Sequence, residues 1–159
     1  MKAADSLILP LLQGFFWFDD GLQAHLQAKG WTEVTRPQSM VMTNVVVGVQ
    51  KPSDIARNLG VSRQSVHATI NQMVEKGILE LVDDPDDGRA KLVALSKVGE
   101  RMRADANQAM EGMVETLRRR IGARNVEALL RAFHADWGEP PLPEPRARAA
   151  KSRTERQPT

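Results

Sequence analysis

The chain has 159 residues, enough for one domain with a proper core and too few for two large ones. It contains no cysteine, which excludes disulfides, zinc–thiolate centres and thiol redox chemistry, and no stretch approaches the ~20 consecutive apolar residues of a membrane span. The formal net charge of +2 is uneven: residues 1–138 hold 17 Lys/Arg against 17 Asp/Glu, and residues 139–159 hold 5 against 3. With no basic segment leading into an apolar run at the N-terminus, a cytoplasmic location without membrane contact is expected.

Residues 5–29 carry apolar side chains at Leu7, Ile8, Leu11, Leu12, Phe15, Phe16, Trp17, Phe18, Leu22 and Leu26, wider than one stripe. That pattern predicts a helix buried on two sides, beginning near Leu9 or bending at Pro10, and closed by Gly30. Trp31 to Val34 form a link. Thr35 followed by Pro37 signals a second helix over 36–48, with Met40, Val41, Val45 and Val49 facing a core. The β-branched run Val45–Val47 would also suit a strand, but a helix is the better reading.

Residues 51–76 read as two short helices meeting at a tight bend. Ser53 stands where an N-cap would be, Ile55, Ala56 and Leu59 supply an apolar face, and Gly60 suits a left-handed turn. Val61 is expected to plug the corner. Ser62 then caps a second helix whose Val66, Ile70, Met73 and Val74 make a one-faced pattern. Its other face carries Arg63, Gln64, His67 and Asn71, joined by the small residues Ser65, Ala68 and Thr69. Arg, Gln and Asn make bidentate hydrogen bonds to base edges in a major groove, and small neighbours permit close approach. Lys51, Arg57, Arg63 and Lys76 against Asp54 and Glu75 give this stretch a modest positive balance.

Gly77 stops that helix. Ile78–Val82 reads as a strand, Asp83–Gly88 as a turn, and Arg89–Leu95 as the return strand, together a two-stranded wing. Ser96 caps a long helix over about 97–120, striped by Val98, Met102, Ala106, Ala109, Met113 and Leu117. Gly122 breaks it, and a last helix spans 124–137 with Val126, Leu129, Leu130, Phe133 and Trp137. From Glu139 onward, five prolines and scattered charges with one leucine predict a disordered Pro/Arg-rich tail over 139–159.

These residues carry a resemblance. Pro52-Ser53-Asp54-Ile55-Ala56 with Leu59-Gly60-Val61-Ser62-Arg63, then Val74-Glu75-Lys76-Gly77-Ile78-Leu79, and the wing residues Asp84-Pro85, Asp87, Arg89, Leu95-Ser96 and Gly99 resemble the MarR (multiple antibiotic resistance regulator) family. The resemblance covers roughly residues 5–137. It implies a mainly α fold with a two-stranded β wing, a winged helix-turn-helix lobe over 36–95, and dimerisation helices at 5–34 and 97–137 within a single unit, 1–138. It also implies an intertwined homodimer that binds double-stranded DNA at a pseudo-palindromic operator, as a repressor. Asp86 stands where family members often carry a basic residue, so the wing tip here is the more acidic. The sequence supports the dimer independently, because a helix of about 24 residues rises ~36 Å and would outrun a small core.

The residues expected at DNA are Gln64, His67 and Asn71 on base edges, Arg63 on a base or phosphate, and Ser62, Ser65 and Thr69 on phosphates, with Ser53 alongside. From the wing, Arg89 should reach the backbone or minor groove with Asp87 orienting its guanidinium and Lys91 nearby. Phe15, Phe16 and Phe18, with Trp17, Met40 and Met42, lie on helices that in the family border an effector pocket, which suggests a small aromatic effector. The rival use of the same lobe is protein–protein interaction without specific DNA binding.

No enzyme chemistry is expected. His25, His67 and His134 fall on three different predicted helices, with no metal-motif spacing. Aligning Gly88 with the sixth position of a calcium loop puts Pro85 at the third and Ala94 at the twelfth, where carboxylates are needed. No phosphate loop or nucleophile–base motif is present, so neither a cofactor nor a metal is anticipated.

Overall fold

The structure, a computed structural model, describes residues 6–141, so most of the tail expected at 139–159 lies outside the described residues. Six helices and one hairpin follow in the order α1 (Ile8–Ala28), α2 (Arg36–Val46), α3 (Pro52–Leu59), α4 (Arg63–Glu75), β1 (Leu79–Asp83), β2 (Lys91–Leu95), α5 (Lys97–Ile121) and α6 (Ala123–His134). No helix among the described residues is long and apolar enough to cross a membrane.

α1 begins at Ile8, which puts Pro10 in its first turn, where a backbone N–H would have no intrahelical acceptor. The expected two-sided burial of α1 is not found: only Asp19 and Leu26 are buried, and Leu7 to Leu12 stay exposed. α1 meets α5 further along, where Gly21 lies against Met113; a Cβ at Gly21 would come within 2.5 Å of the Met113 sulfur.

α2 starts on a capping box. The Thr35 hydroxyl takes the backbone of the third helical residue, and the Gln38 side chain takes the Thr35 N–H at 3.1 Å. Val45 is buried and Val46 ends the helix, so the β-branched run stays helical.

α3 corrects two expectations. Its N-cap is Lys51, not Ser53, because Pro52 fits the first helical position and holds the residue before it extended, at φ −81° and ψ 124°. Val61 does not plug the corner; it is 47% exposed. The corner is closed by backbone instead: Gly60 takes φ +65°, and the Val61 N–H donates to the Ala56 carbonyl at 3.2 Å. Ser62 caps α4 as the sequence suggested, its hydroxyl accepting from the Ser65 N–H at 3.1 Å.

The hairpin is antiparallel, pairing Leu79 with Leu95 and Asp83 with Lys91. β1 is displaced by one residue from the expected strand, with Ile78 before it and Asp83 inside it, and β2 is shorter than expected, with Arg89 and Ala90 left to the turn. The free edge of β2 is tied to the rest of the lobe where the Val93 N–H donates to the Gln50 carbonyl at 2.9 Å. One core joins Val41 and Val45 of α2, Ile55 and Ala56 of α3, Val66, Ile70 and Met73 of α4, and Leu79 and Val93 of the hairpin.

Ser96 caps α5, accepting from the Gly99 N–H at 3.0 Å and donating to the Gly77 carbonyl at 2.6 Å. Gly99 is required by contact, since a Cβ there would lie 2.1 Å from the Ile78 carbonyl oxygen. α6 ends at His134, short of the expected 137. Trp137 folds back over it, its indole N–H donating to the Ala132 carbonyl at 2.7 Å and its ring lying 5.8 Å from that of Phe133.

Candidate nucleic-acid interface and an adjoining cavity

α4 divides into two faces. Val66, Ile70 and Met73 are at most 2% exposed, whereas Arg63, Gln64, Ser65, His67, Ala68 and Asn71 are all exposed. The 3.6-residue period sets 63, 67 and 71 in one row with 64 beside it, on a face adjoining the buried one; Arg63, seven residues before Ile70, stands open at the first residue of the helix. Arg63, Gln64, His67 and Asn71 therefore stand together on an open ridge that starts at the N-terminal end of α4.

Thr69 and the two serines differ in what they can offer a phosphate, which only accepts hydrogen bonds. Thr69 is half-buried and donates its proton to the Ser65 carbonyl at 2.9 Å, so that donor is occupied. Ser62 and Ser65 share one hydrogen bond between their hydroxyls at 2.8 Å, which leaves one of the two protons unused. Ser53 is half-buried in the first turn of α3, off the α4 ridge.

The roll of α4 is fixed by a polar strap that the sequence reading missed. Gln38 is buried; its amide donates to the Gln72 side-chain Oε1 at 3.1 Å, and its own oxygen accepts from Lys76 Nζ at 3.0 Å. Lys76 also donates to the Glu33 carbonyl at 2.7 Å. The Thr35-x-x-Gln38 spacing could have flagged the capping role of Gln38, but nothing local points to its partners on α4.

At the wing, Arg89 lies in the turn, exposed and without an ion pair among the described residues. Asp87 does not orient its guanidinium. Its carboxylate takes the Arg89 backbone N–H at 3.1 Å, because an Asx turn reaches the main chain two residues on more readily than a side chain pointing outward. Lys91 is paired with Asp83 across the hairpin. Asp84, only 4% exposed, accepts from the Asp86 N–H at 3.0 Å and faces Lys51 Nζ at 3.4 Å, too poorly directed to give its second oxygen a hydrogen bond. The Asp86 N–H, then Lys51, hold its carboxyl below the usual range against the opposing effect of burial. The turn's carboxylates are thus largely spent on building the turn.

A cavity of about 280 Å³ opens between α1, α2 and α5. Phe15 and Phe18 line it from α1 and Met40 and Met42 from α2, so four of the six residues expected at a pocket come together, and Trp17 is not among the lining residues. Phe16 does not join them: at 100° per residue it cannot share the face of 15 and 18, and its ring lies under Arg36 at 4.4 Å from the guanidinium carbon. Leu22, Met102, Ala106 and Met110 complete the apolar wall. No local spacing signals Asp19, a buried carboxylate in this wall that accepts from Arg36 Nε at 2.7 Å.

Comparison with known proteins follows this geometry. Residues 32–90 match the profile of the MarR family. No curated protein sequence matches significantly. Among solved structures, the chain is similar to the Multiple Antibiotic Resistance Repressor, MarR, at 18% identity and TM-score 0.64, over 82% of this chain and 96% of that one. It is also similar to CouR from Rhodococcus jostii RHA1 bound to p-coumaroyl-CoA, at 19% identity and TM-score 0.61, over 84% and 92%. A third is the PcaV transcriptional regulator from Streptomyces coelicolor in complex with its natural ligand, at 20% identity and TM-score 0.56, over 80% and 86%. Identities this low establish likeness of fold. The chain is therefore similar to the MarR family over residues 32–90 and shares the fold of these solved structures over most of its length.

Proposed function

We propose that the protein is a cytoplasmic transcriptional regulator that binds a pseudo-palindromic DNA operator as a homodimer, represses from it, and is released by a small-molecule effector. The observation that carries this reading is the split of α4: a sealed apolar face, and a polar ridge of Arg63, Gln64, His67 and Asn71 left open beside a wing whose Arg89 guanidinium is unpaired among the described residues. Two such helices related by a two-fold axis would enter major grooves about one turn, ~34 Å, apart.

Gln64, His67 and Asn71 serve as base readers, Arg63 as a base or phosphate contact, and Ser62 or Ser65 as the phosphate donor. Arg89 adds a backbone or minor-groove contact. The effector seat is the cavity of Phe15, Phe18, Met40 and Met42, since α2, which forms part of its wall, is strapped to α4 through Gln38. A ligand there shifts the population of recognition-helix spacings by as much as its affinity differs between them.

The test is fluorescence anisotropy of the full chain on fragments of its own promoter against scrambled duplex, over a salt series. Specific binding is expected, with Asn71→Ala flattening the preference among sequences. Arg89→Ala should weaken all duplexes and reduce the salt slope by about one charge. Equal, weak binding to every duplex would favour the rival use as a protein-contact module.

A further inference from the structure

We propose that the cavity between α1, α2 and α5 selects an uncharged, apolar molecule of one or two rings and rejects carboxylates. This deepens the effector reading above and rests on it. The argument is a charge census of the wall. Its area is supplied mainly by rings and by aliphatic or thioether side chains such as Phe15, Phe18, Met40 and Met110.

Among the described residues, two ionisable groups line the cavity, Asp19 and Arg103. Asp19 is buried and is paired at 2.7 Å with Arg36, which is not itself part of the wall. Arg103 has both Nε, at 2.8 Å, and Nη2, at 2.7 Å, on the Glu100 carboxylate. An incoming carboxylate would give up its water, face a like charge, and find no unpaired cation among the described lining residues. A neutral molecule meets none of these costs.

Polar contacts suited to a single hydroxyl are present at one side. The Ser39 hydroxyl accepts from the Gln23 amide at 2.8 Å, which leaves its own proton available, and Asn107 also lines the cavity. A volume of about 280 Å³ lies at the small end of ligand sites, which run ~300–1,000 Å³, and this sets the size of the guest.

The experiment measures binding of 2-naphthol and of 2-naphthoate to the full chain at neutral pH, by calorimetry and by thermal shift, with no DNA present. The neutral probe should raise Tm saturably and bind about tenfold or more tightly than the anion. Asp19→Asn should narrow that preference by improving naphthoate binding. Filling the mouth with Val46→Trp, or with Met40→Trp should the first variant melt early, should abolish binding of the neutral probe.

Equal or tighter naphthoate binding would overturn the proposal, as would no binding of either probe, or binding that survives both tryptophans. Because DNA is absent, failure here leaves the operator reading standing, and failure of the anisotropy test leaves this one standing.

Discussion

Between α2 and β2, Val41, Ile55, Val66, Ile70, Met73 and Val93 are each withdrawn almost completely from solvent; along α6 only Val126 is buried, and Leu129, Leu130 and Phe133 lie open. The first turns of α1 match α6, with Leu7, Ile8, Leu9, Leu11 and Leu12 all exposed. The winged lobe is thus finished within one chain, while the helical base leaves large apolar side chains uncovered at both of its ends. Contiguous patches of this kind mark association surfaces. The contrast separates the two regions: one is self-sufficient and presents α4, and the other leaves an apolar surface that, in the homodimer proposed above, a second copy would cover.

The sharpest way to break that contrast is to charge the base. Leu130→Glu with Phe133→Glu puts two carboxylates, one helical turn apart, on the open face of α6. If the face is buried between two copies, each carboxylate costs several kcal/mol, roughly the penalty for an unpaired buried charge. Sedimentation should then show monomers in place of dimers, with helix content retained because the lobe keeps its own core. An unchanged dimer would place the interface elsewhere.

The reverse experiment attacks the lobe. Ile70 is 1% exposed between α4 and its neighbours, and Ile70→Ala should cost ~2–5 kcal/mol in urea unfolding, since the cavity it leaves is enclosed on every side. Beside a total domain stability of ~5–15 kcal/mol this is a large fraction. The substitution should loosen the wing and α4 while leaving the association of α1 and α6 intact in the folded fraction. A loss below ~0.5 kcal/mol would mean that the lobe is not the independent unit its packing suggests.

The same contrast explains what the sequence made legible. Inside the lobe, each helix carries its own punctuation: Thr35, Pro52, Gly60 and Ser62 mark starts and stops, and one-faced periodicity separates Val66, Ile70 and Met73 from the open ridge. Where punctuation was misread, two signals competed: Pro52 at the first helical position displaced Ser53 as cap, and backbone bonding at Gly60 closed a corner that Val61 was expected to fill.

In the base, the breadth of the apolar pattern on α1 predicts burial on two sides but does not say whether its own chain or a second copy covers each side. At the site, helix period brings Arg63, Gln64, His67 and Asn71 together. The Gln38–Gln72–Lys76 strap, the Asp19–Arg36 pair and the use of Asp87 on the main chain all depend on contacts between distant or turning segments, which no local spacing encodes.

The smallest expected effect compares one carboxylate from each region. In the lobe, Asp84 is held low by the Asp86 N–H, with Lys51 assisting; in the base, Asp105 is held low by Lys29 at 2.6 Å and by the Trp31 indole N–H at 2.7 Å. Both groups have folded pKa values below their unfolded ones. Each therefore contributes stability that is fully present above the unfolded value of ~3.9 and is lost as pH falls below it toward the folded value. Wild-type urea midpoints should accordingly drop as pH is lowered through that window. Asp84→Asn and Asp105→Asn should each lower the midpoint at neutral pH and make the acid fall shallower, with the double variant showing the sum because the two sites share no partner. An acid limb unchanged in either single variant would remove that carboxylate from the set that stabilises its region.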